Sequence, residues 1–265
     1  MSRFAKAGDT VEKLVENSYK AIDEGAYDLK REVSHDAISL KKAILSCPHA
    51  ALITEVKFSS PSRGQIRNFG TPAEIALAME EAGATALSVL TQPYLFDGSV
   101  QNLIAIRKAV AIPLLMKDIV VSDVQIDAAK KAGADCILLI KAVFDRNLAE
   151  SSMESLYDRA AKKGLQVLVE AHSSQEYADC IKSRYELVGI NNRNLSDLAV
   201  DIKNTERLIK EHGKGSSIII SESGISKPAD IQYLKKAGAD AFLVGTSIME
   251  TGDIGAKVAE LYNAL

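Results

Sequence analysis

The sequence predicts an α/β chain closed into a (β/α)8 TIM barrel with an N-terminal helical extension. Three observations carry that reading. One phrase recurs as AGATALSVL (Ala82 to Leu90), AGADCILLI (Ala132 to Ile140) and AGADAFLVG (Ala237 to Gly245), each a helix end with Gly running straight into an apolar strand. With LITEVK, IPLLMK, LQVLVEA, ELVGIN and SIIIS, the strand-like runs number eight. They are continuous, as parallel strands covered on both faces are, and helical stretches such as PAEIALAMEEAG, VQIDAAKKAG and PADIQYLKKAG separate them. Eight such units close a barrel. An open doubly wound sheet would carry a GxGxxG turn after its first strand, and none stands there.

The extension comes first in the chain. Asp9 to Glu12 can form a capping box, and Val11, Leu14, Val15, Tyr19 and Ile22 fall on one face of the helix that follows. A second short helix is expected from Ser39 to Leu45. The spacing allows this extension to close the bottom of the barrel, to meet a second copy, or to lie near the mouth.

Composition bounds the function. A chain of 265 residues with 47% apolar content fits a single barrel domain over 1–265, with 1–50 as its extension. Acidic and basic residues are interspersed and the net charge is -3, so no basic stripe marks a nucleic-acid partner. No apolar run approaches the roughly 18 residues of a membrane span. Met1 to Asn17 also lacks the apolar centre of a signal peptide, so a cytoplasmic protein without membrane contact is expected. Cys47, Cys136 and Cys180 are scattered, odd in number and without CxxC spacing, which argues against a disulfide framework or a zinc site. No HxxH or HxxE cluster suggests a metal, and neither metal nor cofactor is expected.

Chemistry in such barrels sits at the C-terminal strand ends. Strand one ends in Glu55 and Lys57, strand three in Lys117 and Asp118, strand four in Lys141, strand five in Glu170, and strand six in Asn191, Asn192 and Arg193. Strand seven ends in Ser221, Glu222, Ser223 and Gly224, and strand eight in Gly245, Thr246 and Ser247. Charge at a buried strand tip is costly unless a ligand or a reaction uses it, so this rim reads as a catalytic mouth. Glu55 and Lys57, two apart, point the same way into it. Glycines and hydroxyls on the last two loops suit a phosphate, whose oxygens backbone N–H groups can cradle at close approach. The partner expected is a small phosphorylated molecule.

The strings TEVKFSSPSRG, LLMKD, LVEAH, VGINNRNL, SESGI and LVGTS, in this order and at these strand ends, closely resemble the indole-3-glycerol phosphate synthase family. The resemblance runs from about Ser39 to the C-terminus, and its most specific elements are ExKxxSPSxG and GINNRxL. It implies a carboxy-lyase that takes 1-(2-carboxyphenylamino)-1-deoxyribulose 5-phosphate, closes the indole ring and releases carbon dioxide and water in tryptophan biosynthesis. By the same resemblance Lys117 is the general acid, Glu170 the base, Lys57 the cation for the ring carboxylate with Asn191 and Arg193 assisting, and Glu55 the glutamate that orients the lysines. Lys117, emerging from an apolar strand, is expected to have its pKa lowered by desolvation. Ser223 matches a substrate-binding serine, and the phosphate is expected against Ser60, Gly224, Gly245 and Thr246.

Phe96, Leu138 and Leu195 resemble the family's apolar wall. Where many relatives have Lys-Asp-Phe after strand three, this chain has Lys117, Asp118 and Ile119, so aliphatic contact replaces ring stacking. Phosphoribosylanthranilate isomerase, a sister barrel, would need a Cys near strand one and an Asp near strand five. Glu55, Lys57 and Glu170 stand there instead. Barrel helices are amphipathic whether or not a partner covers them, and a monomer or weak homo-oligomer is expected.

Overall fold

The computed structural model describes residues 10–60, 64–66, 70–194 and 198–265. Eight parallel strands close into a barrel: β1 (Ala51–Val56), β2 (Ala86–Leu90), β3 (Leu114–Lys117), β4 (Cys136–Ile140), β5 (Gln166–Ala171), β6 (Leu187–Asn191), β7 (Ile218–Glu222) and β8 (Ala241–Val244). Neighbours in sequence are neighbours in space, and β8 closes onto β1 with Ile53 opposite Leu243. All eight coincide with the predicted apolar runs to within a few residues. Each strand is followed by a helix or helical turn that covers its outer face.

Alternation sorts the strand residues into two sets. Ile53, Leu115, Leu138, Leu168, Leu187, Ile220 and Leu243 fill the barrel interior. Leu52, Leu87, Met116, Leu139, Val169, Ile190 and Phe242 face the helices. The same parity carried to the top of each strand sends Glu55, Ser88, Lys117, Glu170, Asn191 and Glu222 inward. Helix ends follow local rules. Thr71 and Glu74 form a capping box at α3 (Pro72–Glu81), and Gly133 and Gly238 end the helices Asp123–Ala132 and Pro228–Ala237 in the left-handed region.

The extension reaches both ends of the barrel. Helix α1 (Thr10–Asp23) buries Val11, Leu14 and Val15 against the interior cluster, and Thr10 and Leu14 line the cavity at the C-terminal mouth. Burying three such side chains contributes roughly 1.5–3 kcal/mol each before ordering costs. Tyr19 donates to the Leu148 carbonyl at 3.0 Å in the loop region after β4, which holds α1 over the rim. Asp9, assigned to a capping box with Glu12, lies outside the described residues.

The chain then descends along the barrel wall. His35 Nε2 lies 2.7 Å from Asp135 Oδ1 at the start of β4, and the Ile38 N–H donates to the same oxygen at 2.7 Å. Helix α2 (Leu40–Ser46), capped by the Ser39 hydroxyl, packs Leu40 and Ile44 into the bottom of the interior. Bottom closure and proximity to the mouth, two of the placements the sequence allows, are both realised by different parts of one segment. Among the described residues, no helix is long and apolar enough to cross a membrane.

Candidate active site

Five charged side chains meet inside the barrel mouth. On β1, Lys57 Nζ lies 2.6 Å from Glu55 Oε1, and the Ser88 hydroxyl of β2 donates to Glu55 Oε2 at 3.3 Å. From β3, Lys117 Nζ reaches Glu170 Oε2 of β5 at 3.0 Å and Glu222 Oε2 of β7 at 3.4 Å. The Asn191 side-chain amide of β6 donates to Glu170 Oε1 at 3.0 Å. Glu55, Glu170 and Glu222 are 6%, 2% and 2% exposed, so these pairs operate with little solvent.

Burial and mutual charge set the protonation of this cluster. Burial alone would raise the Glu55 and Glu170 carboxyls, but Lys57 and Lys117 for the first, and Lys117 with the Asn191 amide for the second, hold both below the ordinary value. Glu222 ends differently: burial and its neighbours Glu170 and Glu55 outweigh Lys117 and push it up to about 8. Two carboxylates around one ammonium cannot both ionise cheaply, and the opposite directions of the two shifts favour the protonated form at Glu222 over Glu170. Burial also acts to lower the Lys117 ammonium, yet Glu170, Glu222 and Glu55 overcome it and its pKa is raised. That overturns the lowered lysine expected from desolvation alone: the strand buries Lys117 together with its counter-charges.

The cavity above the cluster has a volume of about 450 Å³. Its apolar lining includes Phe96, Ile119, Leu138 and Ile140, together with Leu14 from the extension. Ser223, Gly224, Gly245 and Thr246 also line the cavity. Ser223 and Gly224 both have positive φ, 69° and 85°, so the loop after β7 turns through the left-handed region at the cavity edge. Asn192 holds that turn, donating to the Ser221 hydroxyl and the Ser223 carbonyl, each at 3.1 Å. At Gly245 a Cβ would stand 2.8 Å from Glu55 Oε1, so the absent side chain makes room for that carboxylate. Arg193 lines the cavity and donates to the Leu198 carbonyl at 2.9 Å, while its own N–H donates to Asn191 Oδ1 at 2.9 Å.

Two readings of the rim change. Lys141 does not join the cavity lining: Ile140 faces inward, so the next residue turns outward, where Lys141 pairs with Asp145 and with Asp179 at 3.7 Å. Glu222 stands at the rim in the sequence with no role assigned to it, and the structure turns it inward. Parity with the inward Ile218 and Ile220 is the signal that places it beside Lys117. Leu195 and the Ser60 side chain lie outside the described residues, as does Pro61.

A closed barrel with acids and bases buried together at its C-terminal mouth defines an enzyme of the acid–base class. Within that class the chain belongs to the indole-3-glycerol phosphate synthase family, whose model matches residues 6–261. Curated relatives bearing that family's name include those of Polaromonas sp., 41% identical over 88% of this chain and 86% of the relative, and Mycolicibacterium gilvum, 41% identical over 84% and 80%. A third, from Oceanobacillus iheyensis, is 40% identical over 77% of each chain. Among solved structures the chain resembles thiamine phosphate pyrophosphorylase from Pyrococcus furiosus, at TM-score 0.60 and 15% identity over 85% of this chain and 97% of that one. At that identity the likeness speaks for the fold alone.

Proposed function

We propose that this mouth closes the indole ring of 1-(2-carboxyphenylamino)-1-deoxyribulose 5-phosphate, with loss of carbon dioxide and water, by acid–base catalysis centred on Lys117. The observation that carries this reading is the Lys117 ammonium held between Glu170 and Glu222, facing the Glu55–Lys57 pair across one cavity. The bond that forms joins the carboxylate-bearing ring carbon to the sugar ketone carbon. Lys117 polarises the ketone and protonates the oxygen as it becomes an alkoxide, a base strong enough to take a proton from a fully charged ammonium. Glu222 then returns a proton to Lys117. The carboxylate, held until then by Lys57 with Arg193 at the cavity edge, leaves as carbon dioxide and its electron pair restores the ring. Loss of the new hydroxyl as water needs an acid on the oxygen and a base for the released proton. Lys117 and Glu170 supply these, with Asn191 fixing Glu170.

Glu55 holds Lys57 and is itself held by Ser88. Phe96, Leu138, Ile119 and Leu14 receive the aryl ring, with Leu195 expected beside them. Ser223, Gly224, Gly245 and Thr246 receive the phosphate, with Ser60 expected across the mouth. The working form is a monomer or weak homo-oligomer in the cytoplasm. Purified protein incubated with the carboxyphenylamino sugar phosphate should generate the fluorescence of indoleglycerol phosphate; its absence at high enzyme concentration overturns the reading.

A further inference from the structure

We infer that Tyr27 and Asp118 are positioning residues that hold Lys117 in place from behind the strand, coupling the N-terminal extension to the proton-transfer step. The inference rests on the proposed role of Lys117. Asp118 follows Lys117 directly, and alternation turns its carboxylate away from the ammonium, into the layer between barrel and extension. There it is 1% exposed, and among the described residues its hydrogen-bond partners are all neutral donors. Tyr27, 3% exposed and just beyond α1, donates to Asp118 Oδ2 at 2.9 Å, and the Thr91 hydroxyl after β2 donates to the same oxygen. The Ile119 N–H donates to Oδ1 at 2.8 Å.

Around this carboxylate the backbone carrying Lys117 is fixed on both sides. The Thr91 N–H donates to the Lys117 carbonyl at 3.2 Å, and the Gln125 side chain bridges the Ile119 carbonyl at 2.9 Å and the Val121 N–H at 2.8 Å. A buried carboxylate with no ion-pair partner among the described residues is an expensive way to tie a loop, and burial pushes Asp118 up to about 6. What the arrangement secures is the direction of the residue before it. Lys117 must stay within reach of both Glu170 and Glu222, and displacement of a reacting group by about 1 Å can cost 10²-fold in rate.

The test uses the full-length protein and first confirms wild-type turnover; without turnover it is the proposed function that fails, not this inference. Given turnover, Tyr27→Phe, which removes only the hydroxyl, should lower kcat about tenfold while KM changes less than about threefold. Thr91→Val, which loosens the same carboxylate from the barrel side, should do the same. Asp118→Asn, which keeps an acceptor oxygen, should retain more kcat than Asp118→Ala. Combining Tyr27→Phe with Asp118→Ala should lower kcat no further than Asp118→Ala alone. A lowered melting temperature with kcat unchanged in Tyr27→Phe and Thr91→Val would make the cluster a structural tie only and overturn the inference. If Asp118→Ala does not fold, the two hydroxyl deletions still decide.

Discussion

Gly189 of β6 lies directly against Glu222 of β7: a Cβ at position 189 would stand 2.1 Å from Glu222 Oε1. That oxygen is buried and has no hydrogen-bond partner among the described residues. Asn191, the next inward residue on β6, sits level with Glu222 in the strand register. The glycine thus leaves the space in which the Glu222 carboxyl stands beside Lys117.

Gly189→Ala should therefore displace Glu222 without unfolding the barrel. Position 189 does not have a positive φ, and the nearest contact of the new methyl outside Glu222, Leu168 Cδ1 at 3.4 Å, is ordinary packing. A loss of about 10²-fold in kcat is expected, with the melting temperature moved by only a few degrees. Steady-state kinetics beside thermal unfolding check this; wild-type kcat would show that Glu222 need not stand there.

The pH profile follows from the protonation of the cluster. Glu222 is needed protonated and its pKa is about 8, so kcat/KM should fall as pH rises through about 8. Glu170 is needed ionised and is held below its ordinary 4.5, so the acid limb should lie below that value. Lys117, raised, stays charged throughout and gives no limb near neutrality. Glu222→Gln should lower the plateau and abolish the alkaline limb; an unchanged limb in that variant would assign it to another group.

Asp135 offers a stability test remote from the mouth. It is fully buried and accepts from Arg107 at 3.1 Å and from the Leu114 N–H at 2.8 Å, in addition to its contacts with His35 and Ile38. Asp135→Ala strands a nearly buried guanidinium and two N–H groups, at a cost of about 3–5 kcal/mol. Thermal unfolding should shift down by roughly 10 °C. The kcat of the remaining folded protein should stay within about twofold, since this cluster lies at the opposite end of the strands.

The sequence made the barrel legible because a parallel sheet writes itself as repeated apolar runs with glycine-ended helices between them. It also placed Glu55, Lys57, Lys117, Glu170 and Asn191, since strand ends are easy to find. The sign of the Lys117 shift was hidden, because it depends on carboxylates from β1, β5 and β7 that only the closed barrel brings together. Lys141 looked like a rim cation until parity turned it outward, and the same parity brought Glu222 in. The extension's double placement was hidden for a further reason. Helix α1 is amphipathic whichever end of the barrel it covers, and the contacts of Tyr19, Tyr27 and His35 that fix its path are long-range.

If Lys117, between Glu170 and Glu222, donates the proton for ring closure, the turnover of Lys117→Ala at saturating substrate reports the loss. General acid catalysis typically contributes 10²–10⁴-fold. A fall in kcat of about 10³-fold is expected, with substrate still bound to within about tenfold of the wild-type affinity. A Lys117→Ala enzyme that forms indoleglycerol phosphate within about tenfold of the wild-type rate would show that another group donates the proton.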